Sequence, residues 1–200
     1  MTRPSDLNVA DYRQAQAPVL DLIINRWSPR AMSGESLTEA EQSSLFEAAR
    51  WAPSCFNSQP WRFVYALPCS THWDTFYNLL SSGNRPWVAK AGLLMVLLSR
   101  TRLEHNDQET DTNSFDAGAA WQNVALQGSS MGLVVHGMRG FDKDRARTEL
   151  NVPDLFAIEV MIAVGRPGPI SDLPDNRIEG EKPSPRNHAS DFAMEGKFGF

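Results

Sequence analysis

A proline-bounded stretch at residues 52–63 constrains the fold of this chain more than any other feature. It joins a helical pattern to a strand pattern and reads Ala-Pro-Ser-Cys-Phe-Asn-Ser-Gln-Pro-Trp-Arg-Phe. Two prolines stiffen it, and the carboxamides of Asn57 and Gln59 stand among small polar residues. Such a connector presents backbone N–H groups and fixed amides at the mouth of a sheet. We predict that it contacts a flat ligand rich in hydrogen-bonding groups; the alternative is that the two amides only close a turn.

Composition and charge exclude several classes of protein. The chain has 200 residues, of which 42% are hydrophobic and 22% charged, as expected for one globular domain with its own core. The formal net charge of −5 provides no basic surface for nucleic acid. The first residues lack the apolar core of a signal peptide, and the longest apolar run, residues 93–98, is too short to span a membrane. We expect a cytoplasmic protein with no nucleic-acid or membrane partner, and its two cysteines predict neither a disulfide framework nor a metal site.

Periodicity of the apolar residues predicts five helices and four strands. A capping box at Thr38–Glu41 starts the second helix, and Gly132 follows the longest helix as its C′ residue. The segments 83–86 and 136–141 are predicted to be a turn and a loop. The predicted helices are residues 19–25, 38–52, 71–80, 116–131 and 142–152, and the predicted strands are residues 62–67, 92–98, 133–135 and 156–164.

The two ends of the chain differ from its middle. Residues 1–17 are predicted to form an N-terminal arm, and residues 18–165 the folded domain. Five of the 13 prolines fall between residues 167 and 185, so the segment 166–200 is predicted to be extended and not helical. Its apolar side chains favour contact with another surface, such as that of a partner subunit. These side chains are Phe192, Met194, Phe198 and Phe200.

Four residues near the expected ligand allow two interpretations each. Arg26, Ser28 and Arg30 lie together in a segment with free backbone donors, so they can hold a phosphate or form a solvated basic loop end. Cys55 can be a reactive thiol or a small packing residue.

Later residues are equally open. His136 can donate a proton to a substrate or be a plain loop or interface residue. Trp121 can contact a ligand, although its helical phase favours the core. The acidic connector 99–113 and Phe115 can form a substrate lid or a solvated loop.

Four motifs occur in a characteristic order along the chain. Arg-Trp-Ser-Pro-Arg (26–30) is followed by Ala-Pro-Ser-Cys-Phe-Asn-Ser-Gln-Pro-Trp (52–61), then by Gly-Ala-Ala-Trp-Gln-Asn (118–123) with Gly132-Leu133, and finally by Pro-Ser-Pro-Arg (183–186). Together they resemble the nitroreductase family of FMN-dependent oxidoreductases. The second motif is similar to the family's most specific signature, Ala-Pro-Ser-x-x-Asn-x-Gln-Pro-Trp. The resemblance runs from about residue 18 to the C-terminus.

The resemblance implies a fold, a cofactor and a partner. The fold would be an α+β protein, an α/β/α sandwich with a mixed, mainly antiparallel sheet flanked by helices. Two copies of the chain would form a homodimer with FMN at the interface. The C-terminal segment would cross to the other subunit as a domain-swapped extension.

The same resemblance assigns cofactor-binding residues. The phosphate and ribityl end of FMN would contact Arg26, Trp27, Ser28, Arg30 and Arg186. The flavin ring would be contacted on one face and edge by Pro53, Ser54, Cys55 and Asn57, on its pyrimidine edge by Asn84, and on the opposite side by Gly137, Met138, Arg139 and Gly140.

Three residues depart from the family pattern. Trp27 stands where a second basic residue is usual, and Arg139 where some relatives have a glutamate. Trp87 stands where several relatives have a lysine that reaches the flavin. Without this lysine the flavin should be harder to reduce, unless Arg85 takes its place.

The implied activity is reduction of nitroaromatics, quinones or a related electron-poor small molecule, by ping-pong hydride transfer from NADH or NADPH. No catalytic side chain is required for that transfer, and His136 is the one weak candidate. The alternatives are a different flavin reaction (enal reduction, dehalogenation or flavin fragmentation), a non-catalytic flavin carrier or sensor, and a structural protein without a cofactor.

Overall fold

A computed structural model describes residues 1–199 of the chain; Phe200 lies outside the described residues. Its helices are α1 (Asp21–Asn25), α2 (Glu39–Arg50), α3 (Trp73–Leu79), α4 (Arg85–Val88), α5 (Asn113–Ser130), α6 (Lys143–Glu149) and α7 (Asp175–Ile178). Its strands are β1 (Trp61–Ala66), β2 (Leu93–Arg100), β3 (Val134–Met138) and β4 (Phe156–Gly165). Single 3-10 turns occur at Pro4–Asp6, Val9–Asp11, Cys55–Asn57, Ile170–Asp172 and Ala189–Asp191.

The four strands form one sheet in the order β1-β2-β4-β3, and each of these neighbouring pairs is antiparallel. Strand β2 lies inside the sheet and is buried on both faces, as its continuous apolar sequence predicts. Strands β1 and β3 are the two edges. Their opposite positions separate the two parts of the candidate site described below.

Two hydrophobic clusters cover the two faces of this sheet. On one face, Phe76 of α3, Trp87 of α4 and Ala146 of α6 pack on the sheet. On the other face, Leu45 of α2 and Val124 of α5 do so. The predicted α+β fold, a helix/sheet/helix sandwich, is therefore confirmed. A domain-swapped extension stays a prediction.

Helices α2 and α5 follow from local sequence signals. Thr38 caps α2, because its hydroxyl accepts the Glu41 N–H while the Glu41 carboxylate accepts the Thr38 N–H, as the capping box predicts. Helix α5 begins at Asn113, three residues before the predicted start, and Gly132 follows it with a φ of 72°, the left-handed conformation expected at C′.

Two local predictions were wrong and a third was right only in part. Residues 136–138 belong to strand β3 and not to a loop; the missing side chain of Gly137 leaves room for Trp121, since a Cβ there would lie 3.1 Å from the indole. The predicted turn 83–86 is present at Gly83 and Asn84, but Arg85 and Pro86 belong to α4, with Pro86 in its first turn, where a missing N–H costs nothing. The C-terminal segment contains short helical turns that fit between its prolines, α7 beginning directly after Pro174.

Within residues 1–199, none of the helices has the length and hydropathy that a membrane span requires. The two cysteines, Cys55 and Cys69, are both free.

Candidate functional site

A cationic cavity of about 260 Å³ opens beside strand β3. Four separate parts of the chain line it: the N-terminal arm, the loop after α1, strand β3 and the C-terminal segment. Its basic side chains are Arg13, Arg26, Arg30, Lys182 and Arg186, and Trp27, Ser28, His136, Gly180 and Ser184 complete the lining. We call this cavity the basic pocket. It brings together the five residues that were predicted to contact a phosphate and ribityl group, which lie up to 160 residues apart in sequence.

The loop 26–30 contributes half-buried side chains to the basic pocket. Arg26 Nη1 donates to Ser28 Oγ over 3.2 Å, so the arginine and the hydroxyl are held on the same side. Pro29 is buried, and its carbonyl oxygen lies 2.8 Å from Nδ1 of His136 on β3. The loop is therefore fixed to the edge of the sheet and is not a mobile basic end.

Two positive groups in the basic pocket were missed by sequence analysis. Arg13 belongs to the N-terminal arm, and its guanidinium reaches three main-chain carbonyls, including Ser184 O at 2.8 Å. Lys182 precedes the motif that identified Arg186. Neither has a local signal, because each reaches the pocket through contacts between the two ends of the chain.

A buried carboxylate, Glu181, was missed as well. Its side chain is fully buried, and its Oε1 accepts the backbone N–H groups of both Arg30 and Ala31, the latter at 2.9 Å. Its Oε2 lies 3.5 Å from Arg30 Nη1. Among residues 1–199, this is the one ion pair made by any of the five basic residues of the pocket.

The electrostatics of the basic pocket favour an anion. Burial and the charge of Arg186 lower the pKa of Arg26, and burial together with the charges of Arg186 and Arg26 lowers the pKa of Arg13. In both cases the pKa is lowered because the guanidinium is buried beside another cation. A phosphate dianion would neutralise both guanidinium groups with charge-assisted hydrogen bonds. The residues present therefore fit the phosphate end of FMN.

His136 lies between the basic pocket and the hydrophobic core. Its ring lies against Trp87, with ring centroids 4.8 Å apart. Burial lowers the pKa of His136 to about 4, a shift that the charges of Arg30 and Arg177 increase and the main-chain contacts with Pro29 and Ser28 oppose. The imidazole is therefore neutral at pH 7, which makes it a poor general acid.

Asn84 and Gly140 form a second cluster close to Trp87. The Asn84 amide donates to Gly140 O over 3.0 Å, and the Trp87 indole donates to Asn84 Oδ1 over 3.3 Å. Gly140 is required here, because a Cβ would lie 2.7 Å from the Asn84 amide nitrogen. The cluster unites residues predicted at the pyrimidine edge and at the opposite side of the flavin.

The other three residues of the segment 137–140 lie in different environments. Met138 is 3% exposed and belongs to the core, so its backbone is the part left to face a ligand. Arg139 is exposed. Gly137 lies under Trp121, which is half-buried and packs with the α5 side of the core, as its helical phase predicts.

Trp87 is 3% exposed, so this position holds a buried indole and not the charged lysine that the family resemblance led us to compare with it. The neighbouring Arg85 donates from Nε to Leu80 O and from Nη2 to Asn78 O, over 2.9 and 2.7 Å. These bonds cap the end of α3. The guanidinium of Arg85 is therefore committed to the end of α3.

A second part of the site is the proline-bounded turn at residues 53–59, which we call the signature corner. Three of its residues have left-handed backbone without being glycine: Phe56 (φ 49°), Asn57 (φ 55°) and Gln59 (φ 48°). Such conformations cost free energy and cluster at functional sites. The Cys55 N–H donates to Asp116 on α5 over 3.1 Å, and the Gln59 N–H donates to Ser54 Oγ over 2.9 Å. These contacts hold the corner in its strained shape.

The basic pocket and the signature corner lie at opposite edges of the sheet. The corner leads into edge strand β1, whereas His136 of the pocket lies on edge strand β3. Three strand spacings separate these edges, or about 14 Å. Along α5, Asp116 contacts the corner and Gly128 contacts β3, and a separation of twelve positions along the helix spans about 18 Å. The corner and the pocket of one chain therefore do not form a single compact site.

The connector between β2 and α5 rests on the signature corner. Glu104 pairs with Arg62 at 2.8 Å, and the ring of His105 lies 5.5 Å from that of Phe56, between centroids. Phe115 at the start of α5 is 81% exposed. The segment is thus an ordered cover over the corner; its role as a substrate lid stays a prediction.

Comparison with known proteins places this architecture in a family. The profile of the nitroreductase family matches residues 23–79 and 66–166. A solved structure described as an oxidoreductase containing FMN is 42% identical and superposes with a TM-score of 0.89, covering 94% of this chain and 96% of its own. A nitroreductase family protein from Streptococcus pneumoniae superposes with a TM-score of 0.69 at 20% identity, over 88% of this chain and 98% of its own, which shows a shared fold.

A curated relative, NADH dehydrogenase from Thermus thermophilus, is 27% identical over 203 aligned positions, which cover 84% of this chain and 97% of the relative. The family profile spans well over half of the sequence and includes the signature corner, the central helix α5 and all four strands. The chain belongs to the nitroreductase family.

Proposed function

We propose that this chain is an FMN-dependent oxidoreductase that takes electrons from NADH or NADPH. Its acceptor would be a nitroaromatic, a quinone or a related electron-poor small molecule. When bound, FMN would supply the hydride chemistry, in two half-reactions of a ping-pong cycle. We place this activity in the cytoplasm, as expected from the sequence.

The observation that carries the proposal is the composition of the basic pocket. Five cationic side chains line a cavity of about 260 Å³, and among the described residues 1–199 only Arg30 of the five has a carboxylate partner. Arg26, Ser28, Arg30 and Arg186 are the residues that the family resemblance assigned to the phosphate, and the fold brings them to one place. A 42% identical solved structure contains FMN, which supports the same cofactor here. The name NADH dehydrogenase of a curated relative supports a nicotinamide donor.

The residues of this chain would bind and orient the cofactor. The arginines of the basic pocket would hold the phosphate, and the Asn84–Gly140 cluster would meet one edge of the ring. The signature corner would present the side-chain amide of Asn57 to another edge. His136 is not suited to act as an acid, because its imidazole is neutral at pH 7 and its Nδ1 already lies against the Pro29 carbonyl.

A homodimer would bring the two separated parts together. Within one chain, the basic pocket and the signature corner lie at opposite sheet edges, so one flavin can meet both if the corner comes from a second copy. Apolar side chains at the chain ends are exposed, including Leu20 (71%), Phe192 (68%) and Phe198 (89%). Their exposure supports a surface that a second subunit covers, and the C-terminal segment 166–200 as the part that embraces it.

The test is an absorption spectrum of the purified protein before and after anaerobic addition of NADH or NADPH. We expect a yellow protein whose flavin band bleaches, and light scattering at the mass of a dimer. A yellow protein that no nicotinamide bleaches would indicate a flavin carrier. A colourless protein that ignores added FMN would overturn the proposal.

A further inference from the structure

Two charged residues outside the family motifs, Glu181 and Arg13, hold three distant chain segments together around the basic pocket through hydrogen bonds. We call each of these two sets of hydrogen bonds a staple. We propose that Glu181 and Arg13 are positioning residues: they couple phosphate binding to the docking of both chain ends on the loop 26–30. The inference rests on the proposed function, because it concerns how this chain holds the phosphate of FMN.

Glu181 fastens the C-terminal segment to the loop. Its carboxylate accepts the N–H groups of Arg30 and Ala31, which are 151 and 150 residues away, and its side chain is completely buried. A buried carboxylate is stable here because two N–H groups and the Arg30 guanidinium surround it. The residues on either side of it, Gly180 and Lys182, line the basic pocket. The staple therefore sets where Arg30 and Lys182 stand, although Glu181 itself does not line the pocket.

Arg13 fastens the N-terminal arm to the same two segments. Nη1 donates to Ile24 O and Arg26 O over 2.7 and 2.9 Å, and Nε donates to Ser184 O over 2.8 Å. These three bonds use Nε and Nη1 of the guanidinium. A planar guanidinium can join three carbonyls in this way, whereas the single ammonium of a lysine offers no fixed fork.

The two staples are complementary. Glu181 satisfies N–H groups of the loop and Arg13 satisfies carbonyls, so each supplies what the other cannot. Both act on the loop that carries Arg26 and Arg30, and both hold the C-terminal segment that carries Arg186. If either chain end is released, several cations of the pocket should therefore lose their positions at once. Phosphate binding and docking of the chain ends are then one coupled equilibrium.

Binding of FMN and of riboflavin to the full-length protein isolates this effect, because riboflavin lacks the phosphate. We expect Glu181→Ala, which removes the acceptor oxygen, to weaken FMN binding by about tenfold or more and to change riboflavin affinity by less than about twofold. Glu179→Ala, at an exposed neighbouring position, should change neither. Arg13→Lys should lose as much FMN affinity as Arg13→Gln, because bonding to three carbonyls requires the planar guanidinium and not only a positive charge.

Trypsin supplies a second measurement that does not depend on affinity. The bonds after Arg13 and Arg186 are cleavable, and FMN should slow cleavage at both in the wild-type protein. In Glu181→Ala, FMN added at a saturating concentration should no longer protect Arg13, although that residue is on the opposite end of the chain.

Three results would overturn the inference while leaving the proposed function intact. These are wild-type FMN affinity in Glu181→Ala, equal losses of FMN and riboflavin affinity in that variant, or wild-type FMN affinity in Arg13→Lys. A wild-type protein that binds neither flavin would instead remove the proposed function, and the inference with it.

Discussion

The indole of Trp87 lies against the imidazole of His136, with centroids 4.8 Å apart and planes inclined by 54°. Trp87 is core, 3% exposed, whereas His136 also lines the basic pocket. The pair therefore forms a wall between the apolar interior and a cationic cavity. A protonated imidazole would be unfavourable in this wall, because it would lose hydration and face Arg30 and Arg177.

The pH dependence of stability should report this wall. His136 has a folded pKa of about 4 against an ordinary 6.5, so the unfolded chain binds the proton more readily. Its contribution is therefore fully present above pH 6.5 and is lost as the pH falls toward 4, by an amount on the order of 3 kcal/mol. Urea unfolding between pH 4 and 7 measures it.

A matched pair of variants assigns that loss to one residue. His136→Asn keeps a donor for Pro29 O but does not titrate, so its stability should change less over this range than that of the wild type. His72→Asn, at an exposed position, should leave the wild-type slope. An unchanged slope in His136→Asn would show that the buried imidazole is not the source.

The phosphate assignment predicts a selective loss in two further variants. Arg26→Ala and Arg186→Ala should each weaken FMN about tenfold or more, since a hydrogen bond to a charged group contributes about 1.5–3 kcal/mol. Riboflavin affinity should change little, and added salt should narrow the difference between the two flavins. Arg102→Ala, on the connector, serves as the control. Unchanged FMN retention in both pocket variants would remove the assignment.

Features that depend on neighbouring residues were predictable from the sequence. The capping box at Thr38, the apolar run of β2 and the C′ role of Gly132 each rest on a few adjacent positions. Signature residues of the corner were recognisable for the same reason. Their left-handed backbone was not, because Phe56 and Gln59 are not residue types that favour positive φ.

Features that depend on contacts between distant segments were not predictable. Glu181 bonds to residues 150 positions away, and Arg13 to Ser184, 171 positions away. A lone glutamate or arginine in a polar segment carries no sign of such a partner. Strand β3 was predicted too short for a similar reason: the space that Gly137 leaves is filled by Trp121 of α5, a contact that the residues around 137 do not show.

Strain at the signature corner predicts an unusual response to glycine. The Phe56 ring is 78% exposed, so its removal loses little burial, while its φ of 49° disfavours any side chain with a Cβ. Phe56→Gly should therefore be more stable than Phe56→Ala by about 1 kcal/mol, the reverse of the usual order. Chemical unfolding of the two variants tests this; a less stable glycine variant would show that the backbone is not strained there.

Two glycines of helix α5 should respond in opposite ways to the same substitution. A Cβ at Gly128 would lie 2.3 Å from Cγ2 of Val135, so Gly128→Ala must push α5 away from β3 and should cost about 1–3 kcal/mol. A Cβ at exposed Gly118 meets nothing within 4 Å, so Gly118→Ala should gain up to about 1 kcal/mol from helix propensity. The free energy of unfolding of both variants gives the comparison. If Gly118→Ala instead destabilised the protein, that face of α5 would have to be covered in the assembled protein, as a second subunit would cover it.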